Sequence, residues 1–296
     1  MYNYLILENK TAASYENLTY PIFRTRLKTL DSDESIIALA VNLDSKPIGL
    51  ALAEILTVEN KKIASILSLF VVPEHRGCTI GKNLLIHIED ILRQQACSLI
   101  SVIYVNNSTN PYWEKILKQL NWSTPQIRRF ICSGSIINIK DAAWLKVANA
   151  LSPKYTIFPW VKLTKQERDL IQRQQAVANW YPEELSPWEE EEKIEPLNSL
   201  GLRFQDQVIG WIVTHRITID TIRYNRLFVR QDLEPLGLGG VLLAKAIQLQ
   251  LESMKDSKAV FVVNTNNTPM VKFLHRRLAP YLDSLRQSWE SFKVLD

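Results

Sequence analysis

The sequence predicts an α/β protein made of two tandem domains, each a mixed, mostly antiparallel sheet flanked by helices. Three observations predict this. The 296 residues are about twice the usual length of one domain, so two cores are expected. A set of residues recurs in the same order 158 positions later, which marks a duplicated unit. Within each half, β-branched runs split by turn residues come first and amphipathic helices follow, without the strict strand–helix alternation of a doubly wound parallel sheet.

The repeat is read directly. Leu69-Phe70-Val71, Ile80-Gly81 and Leu84-Leu85 fall on Leu227-Phe228-Val229, Leu238-Gly239 and Leu242-Leu243 without a gap. Downstream, Val105, Asn106 and Pro111 fall on Val263, Asn264 and Pro269. Upstream, Ile48-Gly49 matches Ile209-Gly210 after a three-residue insertion. The boundary is expected near residue 152, after Ser133-Gly134-Ser135 read as a loop and a helix over 141–150 begun by an Asp141 cap and ended at Ser152-Pro153. The expected domains are therefore 1–151 and 152–296.

In chain order, a leading helix is expected over 15–28. Strands follow at 35–41 and 48–58, split by the turn Asp44-Ser45-Lys46-Pro47, and a third at 63–72. A helix is predicted over 81–95, because Leu84, Leu85, Ile88, Ile91 and Leu92 share one face. A strand at 99–105 and a helix at 111–119 complete the first set. The second set is a leading helix at 165–178, strands at 208–215 and 221–229, a helix at 239–252, a strand at 259–263 and a helix at 269–277.

Composition narrows the function. Hydrophobic residues make up 46% and charged residues 22%, as in a folded soluble chain, and the net charge of +4 comes from mixed signs without the basic stripe of a nucleic-acid binder. The N-terminus has no basic region leading into an apolar run, and no stretch reaches the ~18 apolar residues of a membrane helix. Cys78, Cys97 and Cys132 are odd in number and widely spaced, which argues against disulfides and against a zinc site; no metal is expected. A cytoplasmic location follows. The run Glu189 to Glu192 reads as a solvated face or loop, since four consecutive carboxylates on a helix diverge.

The chemistry is expected in the strand–loop–helix junction from Phe70 to Lys82. Small residues at Gly77, Thr79 and Gly81 let successive backbone N–H groups converge at a helix start, where the dipole also favours an anion such as a pyrophosphate. Arg76 and Lys82 add positive charge, and the Thr79 hydroxyl can donate once more.

At these residues the chain resembles the GNAT acetyltransferase family, whose pyrophosphate loop reads Gln or Arg, two free positions, Gly or Ala, one free position, Gly or Ala. Here the pattern falls on Arg76, Thr79 and Gly81, with Thr in place of the usual Gly. The resemblance implies acetyl-CoA as co-substrate. The amides of Gly77, Cys78, Thr79, Ile80, Gly81 and Lys82 would hold its pyrophosphate, and Val71 and Val72 would face the pantetheine arm and thioester. Asn106 and Tyr112-Trp113-Glu114-Lys115 resemble the family's second coenzyme-binding segment. In the second copy, Val229, Gly237, Gly239 and Gly240 are the matching candidates, but Glu234 stands where Arg or Gln is expected, a Coulombic cost unless Arg230 offsets it.

Acyl transfer to an amine also needs a base, a polarised carbonyl and an acid for the leaving thiolate. Backbone N–H near Val72 is expected to serve the carbonyl. Where the family often carries a Glu, this chain has Ile66-Leu67-Ser68, and where it commonly carries a Tyr, this chain has Trp113, with Val271 in the second copy. Glu54 is the candidate base and Tyr112 the candidate acid; a solvated strand end and a packing residue are their plain alternatives. Cys78 has no His placed to activate it, and His87 lies mid-helix. Two readings stand: an N-acetyltransferase acting directly, in a ternary complex, on a primary amine of a small molecule or peptide, and a non-catalytic coenzyme A-binding or scaffolding protein. Neither membrane nor nucleic acid is an expected partner.

Overall fold

The computed structural model describes residues 1–149 and 151–295, and for residues 234–236 the backbone alone. The chain divides into two compact units, Met1–Arg128 with Gln287–Asp296, and Arg129–Arg286. Each has a mixed α/β architecture.

In unit 1, β1 (Tyr2–Ile6) lies antiparallel to β2 (Ile36–Leu43). Between them run a short α1 (Asn9–Ala12) and 3-10 turns over Ala13–Leu18 and Pro21–Lys28, not the single helix expected over 15–28. Pro21 has no N–H to continue a helix from the preceding turn and opens the second one. β2 turns at Asp44-Ser45, both left-handed with φ of 47° and 64°, into β3 (Lys46–Val58). Such a two-residue turn matches the twist of a hairpin. Glu59-Asn60 makes the next one, into β4 (Lys61–Val71). α2 (Ile80–Gln94), β5 (Cys97–Val105) and α3 (Asn110–Gln119) follow, within a few residues of expectation.

The chain leaves unit 1 through β6 (Gln126–Ser135), whose Arg129–Ser135 segment belongs to unit 2. Ser133-Gly134-Ser135, expected as a loop, is therefore sheet. A Cβ on Gly134 would meet the Tyr281 carbonyl at 3.0 Å, so the glycine allows a close backbone approach. The expected helix over 141–150 is a 3-10 turn over Ala143–Asn149, and Ala150 lies outside the described residues. β7 (Tyr155–Pro159) comes next, then α4 (Lys165–Ala178), which matches expectation and opens with a capping box between Thr164 and Glu167. β8 (Leu200–Phe204), β9 (Gln207–Thr218), β10 (Thr221–Val229), α5 (Leu238–Ser253), β11 (Lys258–Asn264) and α6 (Thr268–Phe273) complete the unit. In its sheet, β7, β8, β9 and β10 are antiparallel neighbours in turn, β10 and β11 are parallel, and β11 is antiparallel to β6.

The last strand, β12 (Ser284–Val294), returns to unit 1, where Ser288–Val294 pairs antiparallel with β5 from Val105 to Leu99. The seam between the units thus lies at Arg128/Arg129, not near residue 152, and each unit is completed by a strand that sequence position assigns to the other half. Lys293 of β12 donates to the carboxylate of Glu89 on α2 at 2.5 Å, and the Trp122 indole donates to the same group at 2.7 Å. Glu89 is almost wholly buried, so this pairing is what makes its charge tolerable there.

Two apolar layers cover the unit 1 sheet. On one face Leu84, Leu85, Ile88 and Leu92 of α2 pack with Ile66, Val71 and Ile100. On the other, Leu7, Tyr15, Leu18 and Leu27 pack on Ala38, Leu50 and Leu52. Each fully buried Leu or Ile contributes about 1.5–3 kcal/mol. In unit 2 one layer is aromatic: Phe158, Trp160, Tyr181, Trp211 and Phe228 share a cluster with Trp180 and Trp188 packed on it.

Candidate functional site at the strand-loop-helix junctions

β4 and β5 pair in parallel from Lys62↔Cys97 to Ile66↔Val102, and β4 then continues to Val71 beside β3. Beyond Ile66 the two parallel strands part. The register of β3 against β4 slips at Leu67, a bulge that bends β4 at the point of departure. The Val72 amide donates to the Ile48 carbonyl at 2.9 Å. Antiparallel alternation then turns the backbone groups of Leu69 and Val71 to the opposite side, into the gap. Arg76 Nε reaches the Val71 carbonyl there at 3.0 Å.

This geometry corrects one expectation: the Val72 amide is committed to β3, so the open donors on this strand belong to Leu69 and Val71. Two sequence features carried that information, the pairing of Ile48-Gly49 with the strand end and the two-residue period of a strand.

After Val72 the chain makes one tight turn, in which the His75 and Arg76 amides close on the Val72 and Pro73 carbonyls. Gly77 follows with φ of 81°, and Thr79, at φ 61° and ψ −1°, is the left-handed N-cap of α2. The first bond of α2 runs from the Asn83 amide to the Thr79 carbonyl at 3.0 Å. Among the described residues, no amide from Gly77 to Lys82 donates to a protein acceptor. These donors stand at the positive end of a four-turn helix, where unbonded amides can receive an anion.

The surrounding cations are available to it. Arg76 is exposed and lies 5.5 Å from the centre of the Phe70 ring, and among the described residues neither Arg76 nor Lys82 has a carboxylate within ion-pair distance. The Thr79 hydroxyl is already donated to the Cys78 carbonyl at 2.6 Å, so it adds no further donor in this rotamer. Cys78 is exposed. A Cβ on Gly81 would touch Leu69, Ile116 and Val71 at 3.6–3.8 Å, so the glycine faces the gap between β4 and α3.

The other expected residues are less well placed. Glu54 pairs with Ser65, before the bulge, and is held by Arg26 at 2.8 Å. Tyr112 is 75% exposed on α3, while its neighbour Trp113 packs on the core. Asn106 is bound on both sides: its amide and Nδ2 donate to the carbonyl and Oε1 of Gln287, at 3.1 and 3.4 Å, and its Oδ1 accepts from Asn110. A hydroxyl that sequence reasoning missed is Tyr104 on β5, two residues beyond the last pair with β4. It donates to Glu114 at 3.2 Å, and burial, then the Glu114 charge, raises its pKa above the ordinary tyrosine value.

Unit 2 repeats the path with different charges. β10 pairs with β11 from Thr221 to Tyr224 and continues alone with β9 to Val229, with a register slip at Asn225. The Arg230 amide closes on the Ile209 carbonyl at 2.8 Å as Val72 does on Ile48. Gly237, at φ 72°, caps α5 where Thr79 caps α2. A Cβ on Gly239 would touch Leu227 and Val229 at 3.8 and 3.9 Å, the counterparts of Leu69 and Val71. Two differences follow. The Gly240 amide is used, donating to Gly237 at 3.0 Å, and the Arg230 guanidinium is forked by Asp232 at 2.7 and 3.1 Å. Arg230 is thus not free to offset Glu234, whose side chain lies outside the described residues.

Residues 3–117 match the family model of the acetyltransferase (GNAT) family. No curated protein matches the sequence. Among solved structures, a tandem GNAT protein from the clavulanic acid biosynthesis pathway, solved without AcCoA, is similar over 100% of this chain and 99% of its own, with a TM-score of 0.63 and 11% identity. A GCN5-related N-acetyltransferase from Sphaerobacter thermophilus is similar over 99% and 96%, with a TM-score of 0.58 and 13% identity. A glucosamine N-acetyltransferase region of a fungal multi-domain GH3 β-N-acetylglucosaminidase is similar over 99% of this chain and 38% of its own, with a TM-score of 0.63 and 13% identity. A GNAT domain is thus matched in the first unit, and along its whole length the chain has the fold of tandem GNAT proteins.

Proposed function

We propose that the protein is an N-acetyltransferase that moves the acetyl group of acetyl-CoA directly to a primary amine of a small molecule or peptide, with the coenzyme held in unit 1. The observation that carries this reading is the unbonded amide run from Gly77 to Lys82 at the start of α2, with Arg76 and Lys82 unopposed and the gap between β4 and β5 beside it. The pyrophosphate would sit on those amides. The pantetheine arm would run along the inward backbone groups of Leu69 and Val71, extending the sheet where β5 has departed.

The amine nitrogen attacks the thioester carbonyl, the C–S bond breaks, the amine loses a proton and the thiolate gains one. Tyr104 is the acid we favour over Tyr112, because it flanks the gap and burial keeps it protonated. Glu54 reaches the reaction as base only by releasing Arg26.

That ion pair, with the exposure of Tyr112, is the observation that favours the second reading, a coenzyme-binding protein without turnover. Release of free coenzyme A thiol from acetyl-CoA, measured against a broad panel of primary amines, separates the two. Turnover with any amine above the hydrolysis background supports the enzyme. Tight acetyl-CoA binding with no amine accepted selects the non-catalytic reading.

A further inference from the structure

Unit 2 carries a polar cluster that unit 1 lacks, on the face of β9 and β10 beside the bulge. His215 faces Arg223 across the two strands, and Arg226 faces Val213, the preceding position of β9 on the same face. His215 is 1% exposed and Arg226 7% exposed. The corresponding unit 1 positions are Glu54, Ser65 and Ser68 by the same two offsets, 161 before the bulged hairpin and 158 after it.

The outer nitrogens of these side chains are satisfied. Arg226 is ion-paired with Glu189, and its Nη1 also donates to the Glu189 carbonyl at 3.3 Å. Arg223 Nη2 donates to Glu190 at 2.7 Å and to His215 Nδ1 at 3.0 Å. The acidic run lies in turns and is largely solvated, as expected of a loop, and it also supplies partners to arginines, since Glu191 likewise holds Arg168.

The inner nitrogens are not satisfied. Arg223 Nε, Arg226 Nε and His215 Nε2 are each buried and have no hydrogen-bond partner among the described residues. Because Nδ1 of His215 accepts from Arg223, its Nε2 is the protonated nitrogen, and all three orphans are donors. A buried donor left unpaired costs about 1–3 kcal/mol, and three in neighbouring residues are not expected of a surface that serves packing alone. The shared requirement of three N–H donors, two of them on cations, is an oxyanion. The carboxylates of Glu189 and Glu190 on the same guanidinium groups show which oxyanion fits their planar forks.

We propose that the Arg223, Arg226 and His215 cluster of unit 2 is a binding site for a small carboxylate ligand, distinct from the coenzyme loop of either unit. It stands whether or not unit 1 transfers acetyl groups. The test is calorimetric titration of the full chain with succinate, at ionic strength matched by chloride, with inorganic phosphate as a second titrant. Succinate is expected to bind once per chain. Arg223→Gln is expected to weaken it at least ~10-fold, the worth of one charge-assisted hydrogen bond. Glu190→Gln removes a competing carboxylate without touching the orphan donors, and is expected to tighten succinate binding by ~3-fold or more. Because that change strengthens binding, a folding defect cannot imitate it. Absence of succinate binding in both the parent chain and Glu190→Gln overturns the proposal. So does phosphate binding more tightly than succinate, or Arg223→Gln binding as well as the parent while remaining folded by circular dichroism.

Discussion

The two units fold the same loop and equip it in opposite ways. In unit 1 the cations beside the loop, Arg76 and Lys82, meet no carboxylate among the described residues, and the amides of 77–82 stay unbonded. In unit 2 the cation beside the loop is forked by Asp232, and one loop amide is spent on Gly237. Backbone geometry alone therefore does not make an anion site. What distinguishes the units is whether donors and charges have already found partners within the protein.

The strongest way to break this comparison is at the glycines that face the two gaps. Gly81→Val adds a branched side chain against Leu69, Val71 and Ile116, where even a Cβ is in contact. Overpacking of this kind costs about 1–3 kcal/mol, and the added atoms also fill the ligand's path, so acetyl-CoA affinity is expected to fall by ~100-fold or more. Gly239→Val in unit 2 is expected to leave it unchanged. Calorimetry on both variants checks the pair; equal losses would mean that the two loops share the work.

Next comes the charge at Glu234. Two like charges ~5 Å apart at an effective dielectric constant near 20 repel by about 3 kcal/mol before screening. Glu234→Gln is expected to let unit 2 take up coenzyme, seen as a second binding event in a titration of the full chain. A parent chain that already binds two equivalents would reverse the ranking of the units. The titration belongs on the full chain, because residues 152–296 alone would lack β6 and carry β12, which pairs in unit 1.

A smaller effect separates the units in acid. Hydrogen bonds from Arg203, then those from Thr164, hold the Glu167 carboxyl down at about 2. Its folded pKa is depressed, so the stabilisation is fully present above the unfolded value near ~4.3 and is lost as pH falls toward 2. The amount is on the order of 2 kcal/mol after allowing for partial exposure. Thermal unfolding of Glu167→Gln is expected to show a lower melting temperature at neutral pH and a flatter acid limb than the parent. The same slope in both chains would remove the Arg203 clamp as its cause.

The smallest prediction concerns the caps. Thr79 is a β-branched residue held at φ 61°, where unit 2 has Gly237 at 72°. Thr79→Gly is expected to stabilise the protein by about 1 kcal/mol, raising the melting temperature by a few degrees. A loss of stability would show that the Thr79 hydroxyl bond to Cys78 outweighs the strain.

Much of this is legible in the amino-acid sequence itself. The repeat exposed the loop because strand, turn and helix start each impose their own residue types at fixed offsets. α4 was legible to the residue because a capping box opens it and Asn179, left-handed at φ 44°, closes it. The edge and exchanged strands were not. β12 reads Ser-Leu-Arg-Gln-Ser-Trp-Glu-Ser-Phe-Lys-Val, a mixed polar run with no turn signal, and its place beside β5 is a contact nearly two hundred residues away in sequence. The site was half legible for a similar reason. Convergent amides are local, whereas the capture of Glu54 by Arg26 and of Arg226 by Glu189 depends on segments brought together only by the fold.

The return of β12 also sets an order of events during synthesis. Unit 2 is one continuous stretch, Arg129–Arg286, so all its strands have been translated before residue 287 is made. Unit 1 begins earlier and finishes later: until Ser288–Val294 leaves the ribosome, β5 presents an unpaired edge and Glu89 lacks Lys293. The half that carries the Phe70–Lys82 loop therefore closes only once Ser288–Val294 has joined β5. An exposed strand edge is a hazard for intermolecular pairing, so the vulnerable species in biogenesis is the chain that has not yet added Ser288–Val294 to β5.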